Sequence, residues 1–262
     1  MKITLFTSNQ NRHNYLINLL SGICNELWVV QECGTIFPGI VPGHYPSSET
    51  MKKYFEKVSN AQTKLFGNSY IDNSSGNIKI LPITSGDLNK CSLTYLSKFL
   101  KSDIYVVFGS SYIKGSIVDF LVEKKAINIH MGVSPYYRGT DCNFWALYDN
   151  NIHLVGATVH MLSKGLDSGP MLYHAMSNIK TSPFDYTMST VKSAFHSLAE
   201  RIKNKSIFQI KPIVQNKSQE IRYSKKIDFN EEVLNQYFLK NIDLNAKKFD
   251  VSLLKDPFFL NT

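Results

Sequence analysis

Residues 126–139 read Ala126-Ile127-Asn128-Ile129-His130-Met131-Gly132-Val133-Ser134-Pro135-Tyr136-Tyr137-Arg138-Gly139. Alternation along the first five places Asn128 and His130 on one face of a strand, with Ile127 and Ile129 on the other. Gly132, Pro135 and Gly139 then break the strand into a loop carrying two tyrosines and an arginine. A strand that delivers converging polar groups into a rigid loop suits a site at the carboxyl edge of a parallel sheet. A strand ending in a hydrogen-bonded histidine and a surface turn would use the same residues, so the flanking sequence has to choose between the two.

Upstream, Ile104-Tyr105-Val106-Val107-Phe108 is a continuous apolar run, as at the centre of a parallel sheet. It enters Gly109-Ser110-Ser111-Tyr112-Ile113, small residues past which main chain can approach a ligand. At the amino end, residues 2–7 predict a strand. A helix follows with Tyr15, Leu16, Leu19, Leu20 and Ile23 at helical spacing. Ser8 or Asn9 can cap that helix, and its free N–H groups, with Gln10 and Arg12 nearby, suit a phosphate. Further strands are expected at 27–30 and 78–81, helices at 49–67, 91–100 and after Pro183, and an irregular, proline-broken loop at 34–50 near an acceptor. Residues 207–213 suggest a strand, and Asp228 with Glu231 a capping box opening a last helix. Strands alternating with helices predict an α/β fold: a Rossmann-like three-layer sandwich with a mostly parallel sheet over residues 1–203, followed by a short C-terminal extension, 204–262. Neither a G-x-G-x-x-G nor a P-loop occurs, which argues against a dinucleotide cofactor.

Downstream, Val155-Gly156-Ala157-Thr158-Val159-His160-Met161-Leu162 reads as another strand. The turn Lys164-Gly165-Leu166-Asp167-Ser168-Gly169-Pro170 comes next, with Asp167 between glycines. Asn128-x-His130, the Pro135-x-x-Arg138-Gly139 loop and the Asp167 turn, in this order and at this spacing, resemble the folate-dependent formyltransferase family. That family includes methionyl-tRNA formyltransferase, glycinamide ribonucleotide transformylase and the sugar N-formyltransferases. The resemblance covers roughly residues 1–180 and is densest from Asp103 to Leu172.

The resemblance implies a catalytic set of Asn128, His130 and Asp167, with formyltetrahydrofolate as co-substrate and no metal. Formyl transfer needs a donor for the oxyanion, a proton carrier and a group that sets the carrier's protonation, and an amide, an imidazole and a carboxylate supply these. It also implies that the folate lies along Gly109, Ser110, Ser111, Tyr112, Ile113, Gly132, Val133, Ser134, Pro135 and Leu166. Many members carry serine where this chain has Gly132, so folate contacts through Ser134 are expected to be rearranged. Acceptor contacts are expected from Ser8, Asn9, Gln10 and Arg12 on the phosphate side, and from Tyr136, Tyr137, Arg138, Gly139 and Trp145, whose flat rings suit a base or sugar. His160 is read as structural or acceptor-lining. A zinc site of His130, His160 and Asp167 is the less favoured reading.

The loop Ser134-Pro135-Tyr136-Tyr137-Arg138-Gly139-Thr140-Asp141-Cys142-Asn143-Phe144-Trp145 is most similar to sugar N-formyltransferases. The expected reaction is therefore formylation of the amine of a nucleotide-linked amino sugar in surface polysaccharide (O-antigen) biosynthesis. Alternatives are a methionyl-tRNA or glycinamide ribonucleotide formyltransferase, a formyl-folate hydrolase, or a folate-binding module without activity. The last 60 or so residues are shorter than the RNA-binding domain of the tRNA enzymes, and the first strand starts at once, without the extra domain of the hydrolases. Composition adds bounds. The 262 residues, 43% hydrophobic, can bury a full core. A formal charge of +8 favours anionic partners, but the lysines are scattered, so nucleic acid is not selected. Cys24, Cys33, Cys91 and Cys142 show no paired spacing and read as reduced thiols in a cytoplasmic protein. No apolar run reaches membrane-spanning length. A homodimer is compatible with the sequence.

Overall fold

A computed structural model of the chain describes residues 1–34, 48–244 and 250–260. The loop expected at 34–50 therefore falls mostly outside the described residues. In chain order the strands and helices are β1 (Lys2–Ser8), α1 (Asn11–Ser21), β2 (Glu26–Cys33), α2 (Glu49–Phe66), β3 (Ile78–Thr84), β4 (Ile104–Phe108), α3 (Gly115–Glu123), β5 (Ile127–His130), β6 (Tyr137–Gly139), α4 (Cys142–Tyr148), β7 (Ala157–Met161), β8 (Met171–Ser177), α5 (Pro183–Lys203), β9 (Arg222–Ser224), α6 (Glu231–Leu239) and β10 (Phe258–Leu260).

Eight strands form one sheet in the order β10-β8-β7-β5-β4-β1-β2-β3. All neighbours pair in parallel except those of β7, which runs against both β5 and β8. From β1 the chain winds outward through β2 and β3, then returns to place β4 on the other side. The carboxyl ends of β1 and β4 therefore flank the reversal point, where open α/β sheets form their crevice. One face of the sheet packs Leu16, Ile17 and Leu20 of α1 and Phe195, Leu198 and Ile202 of α5. The other packs Leu88, Leu96, Ile117 and Leu121. A third, aromatic-rich core joins α4, α5 and α6 through Phe144, Trp145, Tyr186 and Tyr237.

Local sequence explains the element ends, and in places corrects the expectation. Helix α2 starts where the Ser48 hydroxyl accepts from Met51 N and stops at Gly67, in the left-handed region at φ 64°. Helix α5 has Ser182 as its cap and Pro183 in its first turn, where a missing N–H costs nothing. Helix α1 is not capped by Ser8 or Asn9; its N-cap is Gln10, whose side chain makes no capping bond. Residues 91–100 form turns instead of an α-helix. Ser92 Oγ takes the Tyr95 N–H, and main-chain bonds mix three- and four-residue spacing. Residues 207–213 give a short 3-10 turn and an isolated bridge between Ile213 and Met171, not a strand. The last helix is capped by Asn230, while Asp228 accepts from Lys225 N.

The residues after α5 are woven into the rest of the molecule. Strand β10 extends the main sheet beside β8, and β9 pairs with β6 in a second, two-stranded sheet. At the carboxyl end of that small sheet Gly139 has φ 96°, and a β-carbon there would lie 1.9 Å from the carbonyl oxygen of Ser224. Gly139→Ala should lower unfolding stability by at least about 2 kcal/mol, from left-handed strain plus displacement of β9. Urea denaturation of the two proteins measures the difference.

Candidate active site

Strand β5 ends with Asn128 and His130, and the register of β7 sets His160 opposite Asn128 and Thr158 opposite His130. The four side chains thus share one face of the sheet. Thr158 shapes the loop that leaves β5: its hydroxyl donates to Gly132 O at 2.6 Å and accepts from Ser134 N at 2.8 Å. The β7–β8 turn brings Asp167 back over the pair, with the left-handed φ of 46° that Asp tolerates better than most residues.

His130 lies 6% exposed, its Nδ1 3.3 Å from Asp167 Oδ2 and its Nε2 3.2 Å from the carbonyl oxygen of Tyr137. Both partners are acceptors, so the imidazolium form satisfies both nitrogens. Burial opposes that charge, but the neighbouring Asp167 and Cys142 outweigh it and hold His130 well above the ordinary histidine value. Burial likewise works against the Asp167 carboxylate. The charge and hydrogen bond of His130 overcome it and hold the group well below its usual range. Both directions favour the imidazolium–carboxylate form of the pair.

Asn128 is oriented by His160. The His160 Nδ1 faces Met161 O at 2.8 Å and must donate, which leaves Nε2 to accept from Asn128 Nδ2 at 2.9 Å. One amide N–H of Asn128 is thereby fixed, and its second projects from the partly exposed side chain. His160 is a support for Asn128, and its Nε2 is 3.9 Å from Asp167 Oδ1. Among the described residues no group of three or more His, Cys, Asp or Glu side chains is arranged to hold a metal ion.

The other expected site residues divide by accessibility. Gly109, Ser110, Ser111, Tyr112 and Leu166 are exposed or partly so. Ile113, Gly132, Val133, Ser134 and Pro135 are buried or nearly so, and Ser134 already uses its N–H on Thr158 and its carbonyl on His174. A β-carbon at Gly132 would lie 2.6 Å from both Cys142 Cβ and His130 Nε2. Gly132 is therefore matched to Cys142. On the acceptor side, Ser8, Gln10 and Arg12 are partly exposed and Asn9 is buried. Arg12 hydrogen-bonds Gln62.

The aromatic acceptor face is corrected by the structure. Tyr137 is fully buried, its hydroxyl between Asp149 and Asn151, and Trp145 is covered by the guanidinium of Arg222 4.4 Å from the ring centre. Neither ring offers a face to a ligand. Tyr136 is also buried and donates to Leu253 O; Arg138 spans Glu220 and Leu166 O; Gly139 is pressed against β9. These five residues build the wall behind the site, because β9 and its arginine arrive from some 80 positions downstream to cover them.

Comparison with known proteins agrees with this geometry. Residues 88–207 match the formyl transferase family. That span holds Asn128, His130 and Asp167. The span is similar to a formyl transferase domain. Over 129 residues the chain is 30% identical to a methionyl-tRNA formyltransferase of Desulforamulus reducens, covering 49% of this chain and 37% of that protein. The chain thus spans little more than a third of this curated relative's length. By fold it is similar to an N-formyltransferase from Helicobacter canadensis, solved with folinic acid and dTDP-3-aminofucose (TM-score 0.55, 16% identity, 90% of this chain and 79% of that one). It is also similar to a phosphoribosylglycinamide formyltransferase from Anaplasma phagocytophilum (TM-score 0.53, 15% identity, 80% and 88%). No helix among the described residues is long and apolar enough to cross a membrane.

The site has supports that no sequence pattern marked. Glu32, buried at the end of β2, accepts from Ser111 N, Ser111 Oγ and Gly86 N, so it anchors the loop after β4. Gly109 in that loop packs over His13, where a β-carbon would approach Cε1 to 2.4 Å. The Tyr112 hydroxyl donates to Lys164 O at 2.6 Å and ties this loop to the Asp167 turn.

The His130–Asp167 pair predicts a pH dependence. A raised histidine stabilises the fold fully below its unfolded value of 6.5, and that stability is lost as pH rises through the raised folded value. A depressed carboxylate contributes above its unfolded value and loses the contribution as pH falls through the folded one. Asp167→Asn should therefore cost about 3 kcal/mol between pH 4 and 6.5, with the gap to the parent closing at alkaline pH as His130 loses its proton. Urea unfolding across that pH series tests the sign; a gap that widens with rising pH contradicts it.

Proposed function

We propose that this chain transfers the formyl group of formyltetrahydrofolate to the amine of a nucleotide-linked amino sugar. The observation that carries the reading is the convergence of an oriented amide, a buried imidazolium and an ionised carboxylate at the carboxyl end of β5, inside a formyl transferase domain. As the amine attacks the formyl carbon, negative charge develops on the formyl oxygen. The free N–H of Asn128 and the charge of His130 stabilise it. As His130 gives its proton to the departing folate nitrogen, Asp167 loses the charge that held it low and takes up the proton released by the amine. The accessible groups around this centre fit the folate: Gly109 and Ser110 supply main chain in a loop that Glu32 anchors at Ser111, with Tyr112 and Leu166 as apolar walls, a set suited to a flat ring edged with amide-like donors and acceptors.

Support for the sugar acceptor comes from fold relatives whose alignments run through the C-terminal extension. The Helicobacter canadensis protein with its dTDP-3-aminofucose covers 90% of this chain. Methionyl-tRNA is the competing acceptor, favoured by the 30% identical relative. The amino end of α1, where no side chain of the N-cap occupies the first-turn N–H groups, is the proposed seat of the acceptor phosphates, with Arg12 beside it.

Purified protein with formyltetrahydrofolate should formylate at least one member of a panel of dTDP- and UDP-linked amino sugars, read by mass spectrometry. Glycinamide ribonucleotide and methionyl-tRNA serve as the contrasting arms, and transfer to either with all sugars inert overturns the sugar assignment. His130→Ala and Asn128→Ala should each lower turnover by about 10² to 10⁴ while the protein stays folded; parent-like rates would remove both from the chemistry. Arg12→Ala should reduce catalytic efficiency for the acceptor about tenfold or more with folate affinity unchanged, the scale of a lost charge-assisted phosphate contact. The reverse pattern would exchange the two subsites.

A further inference from the structure

We propose that Gln215 is a positioning residue of this site: its side-chain amide holds the turn that aims the Asp167 carboxylate at His130. Gln215 lies beyond α5, outside the residues that match the family. It is 8% exposed, and its Nε2 donates to Asp167 O and to Gly169 O, both at 2.8 Å. One nitrogen thus commits both hydrogens to the two carbonyls that flank Ser168. The orientation of the amide is fixed by chemistry, since two carbonyl oxygens accept only from the nitrogen side.

The first half of the turn is held by Ser163 Oγ, at 3.0 Å from both Gly165 O and Ser168 Oγ, and by the Tyr112 hydroxyl on Lys164 O, but the carbonyls of Asp167 and Gly169 are held by Gln215. Asp167 is in the left-handed region, where a non-glycine residue persists only if its surroundings impose it. Gly169 lies against β7 so closely that a β-carbon would fall 1.7 Å from Met161 O. Gln215 staples the backbone at these two points, and Arg138 holds the residue just before them, donating to Leu166 O at 3.0 Å. Gln215 is itself held in register two residues earlier, where Ile213 and Met171 exchange both main-chain hydrogen bonds at 2.7 and 2.9 Å. Met171 opens β8, so the staple is anchored on the sheet that carries the turn.

A structural residue and a positioning residue differ in what their loss does to His130. With the turn released, the Asp167 carboxylate leaves its place 3.3 Å from Nδ1, and the imidazole loses the charge that favours its protonated form. Gln215→Met keeps length and volume while removing both donors; Gln215→Asn, one methylene shorter, is the second variant should the first fold poorly. The first readout needs no ligand: the titration of His130 in histidine-labelled protein followed by NMR, assigned by its disappearance in His130→Asn. Either Gln215 variant should move that titration to lower pH, in the direction of Asp167→Asn, and add nothing further when combined with Asp167→Asn. The second readout rests on the formyl-transfer reading. With formyltetrahydrofolate and a dTDP-linked amino sugar, kcat should fall about tenfold, the scale of one or two lost neutral hydrogen bonds, with each KM within about twofold. A folded variant of lower thermal stability whose His130 titrates as in the parent would overturn the proposal and leave Gln215 a structural residue. If neither parent nor variant transfers formyl to the sugar, the acceptor reading fails while the NMR arm still decides the role of Gln215.

Discussion

His130 and Asp167 are charged groups in a place with almost no water, and that constraint organises the structure around them. Taking a carboxylate and an imidazolium out of water costs several kcal/mol per ion, which only close and well-oriented partners offset. The imidazole meets that condition on both edges, with Asp167 on Nδ1 and the Tyr137 carbonyl on Nε2. Each partner must therefore be held in position by something that does not move. The carboxylate belongs to a turn in a disfavoured backbone region, and the carbonyl belongs to a three-residue strand that could not stand alone.

What holds the carbonyl is the small sheet of β6 and β9. Ile221 N and Arg222 N both donate to Tyr136 O, and the Arg222 guanidinium meets Asp149 in two bonds of 2.9 and 2.7 Å while covering Trp145. Asp149 also receives the Tyr137 hydroxyl. This polar cluster is closed on itself, which is the condition under which a partly buried ion pair helps to fix a structure. On the opposite side Glu32 plays the same part for the loop after β4. In each case a side chain from a distant segment satisfies main-chain groups that no regular element could satisfy, and in doing so sets the shape of the site.

The parts of this arrangement legible in the sequence are those with local signals. The apolar run of β4 and the helical spacing of α2 and α5 come from periodicity, and Asn128, His130 and Asp167 stand out because polar groups end apolar strands or sit between glycines. Tyr137 and Trp145 misled for a physical reason. Aromatic residues amid polar ones in a glycine- and proline-broken loop have the pattern of a ligand-facing surface, and only the arrival of β9 and Arg222 buries them. Residues 91–100 misled through their leucine spacing, since the Ser92 hydroxyl takes the Tyr95 N–H and the stretch forms turns. Gln215 and Glu32 carry no local signal at all. Each is a single polar residue whose partners are backbone atoms far away in sequence, and nothing in composition or spacing distinguishes it from a solvated neighbour.

The direction of β7 shows how topology and chemistry meet. In a sheet otherwise parallel, this one strand is reversed, and the reversal sets residues in direct opposition across the ladder. Asn128 then faces His160 and His130 faces Thr158, pairs close enough for a side-chain hydrogen bond in the first case and for Thr158 to bridge the loop leaving His130 in the second. His160 in turn is fixed by a main-chain carbonyl of its own strand, so its accepting nitrogen points at Asn128 without needing a charge. Thus the amide has one hydrogen committed and one left for chemistry. The same reversed strand ends in the turn that carries Asp167, so one element both orients the neutral donor and delivers the carboxylate. A parallel strand at this position would stagger the pairs and need a long crossover before the next strand; the short turn that brings Asp167 over His130 exists because β7 and β8 are antiparallel.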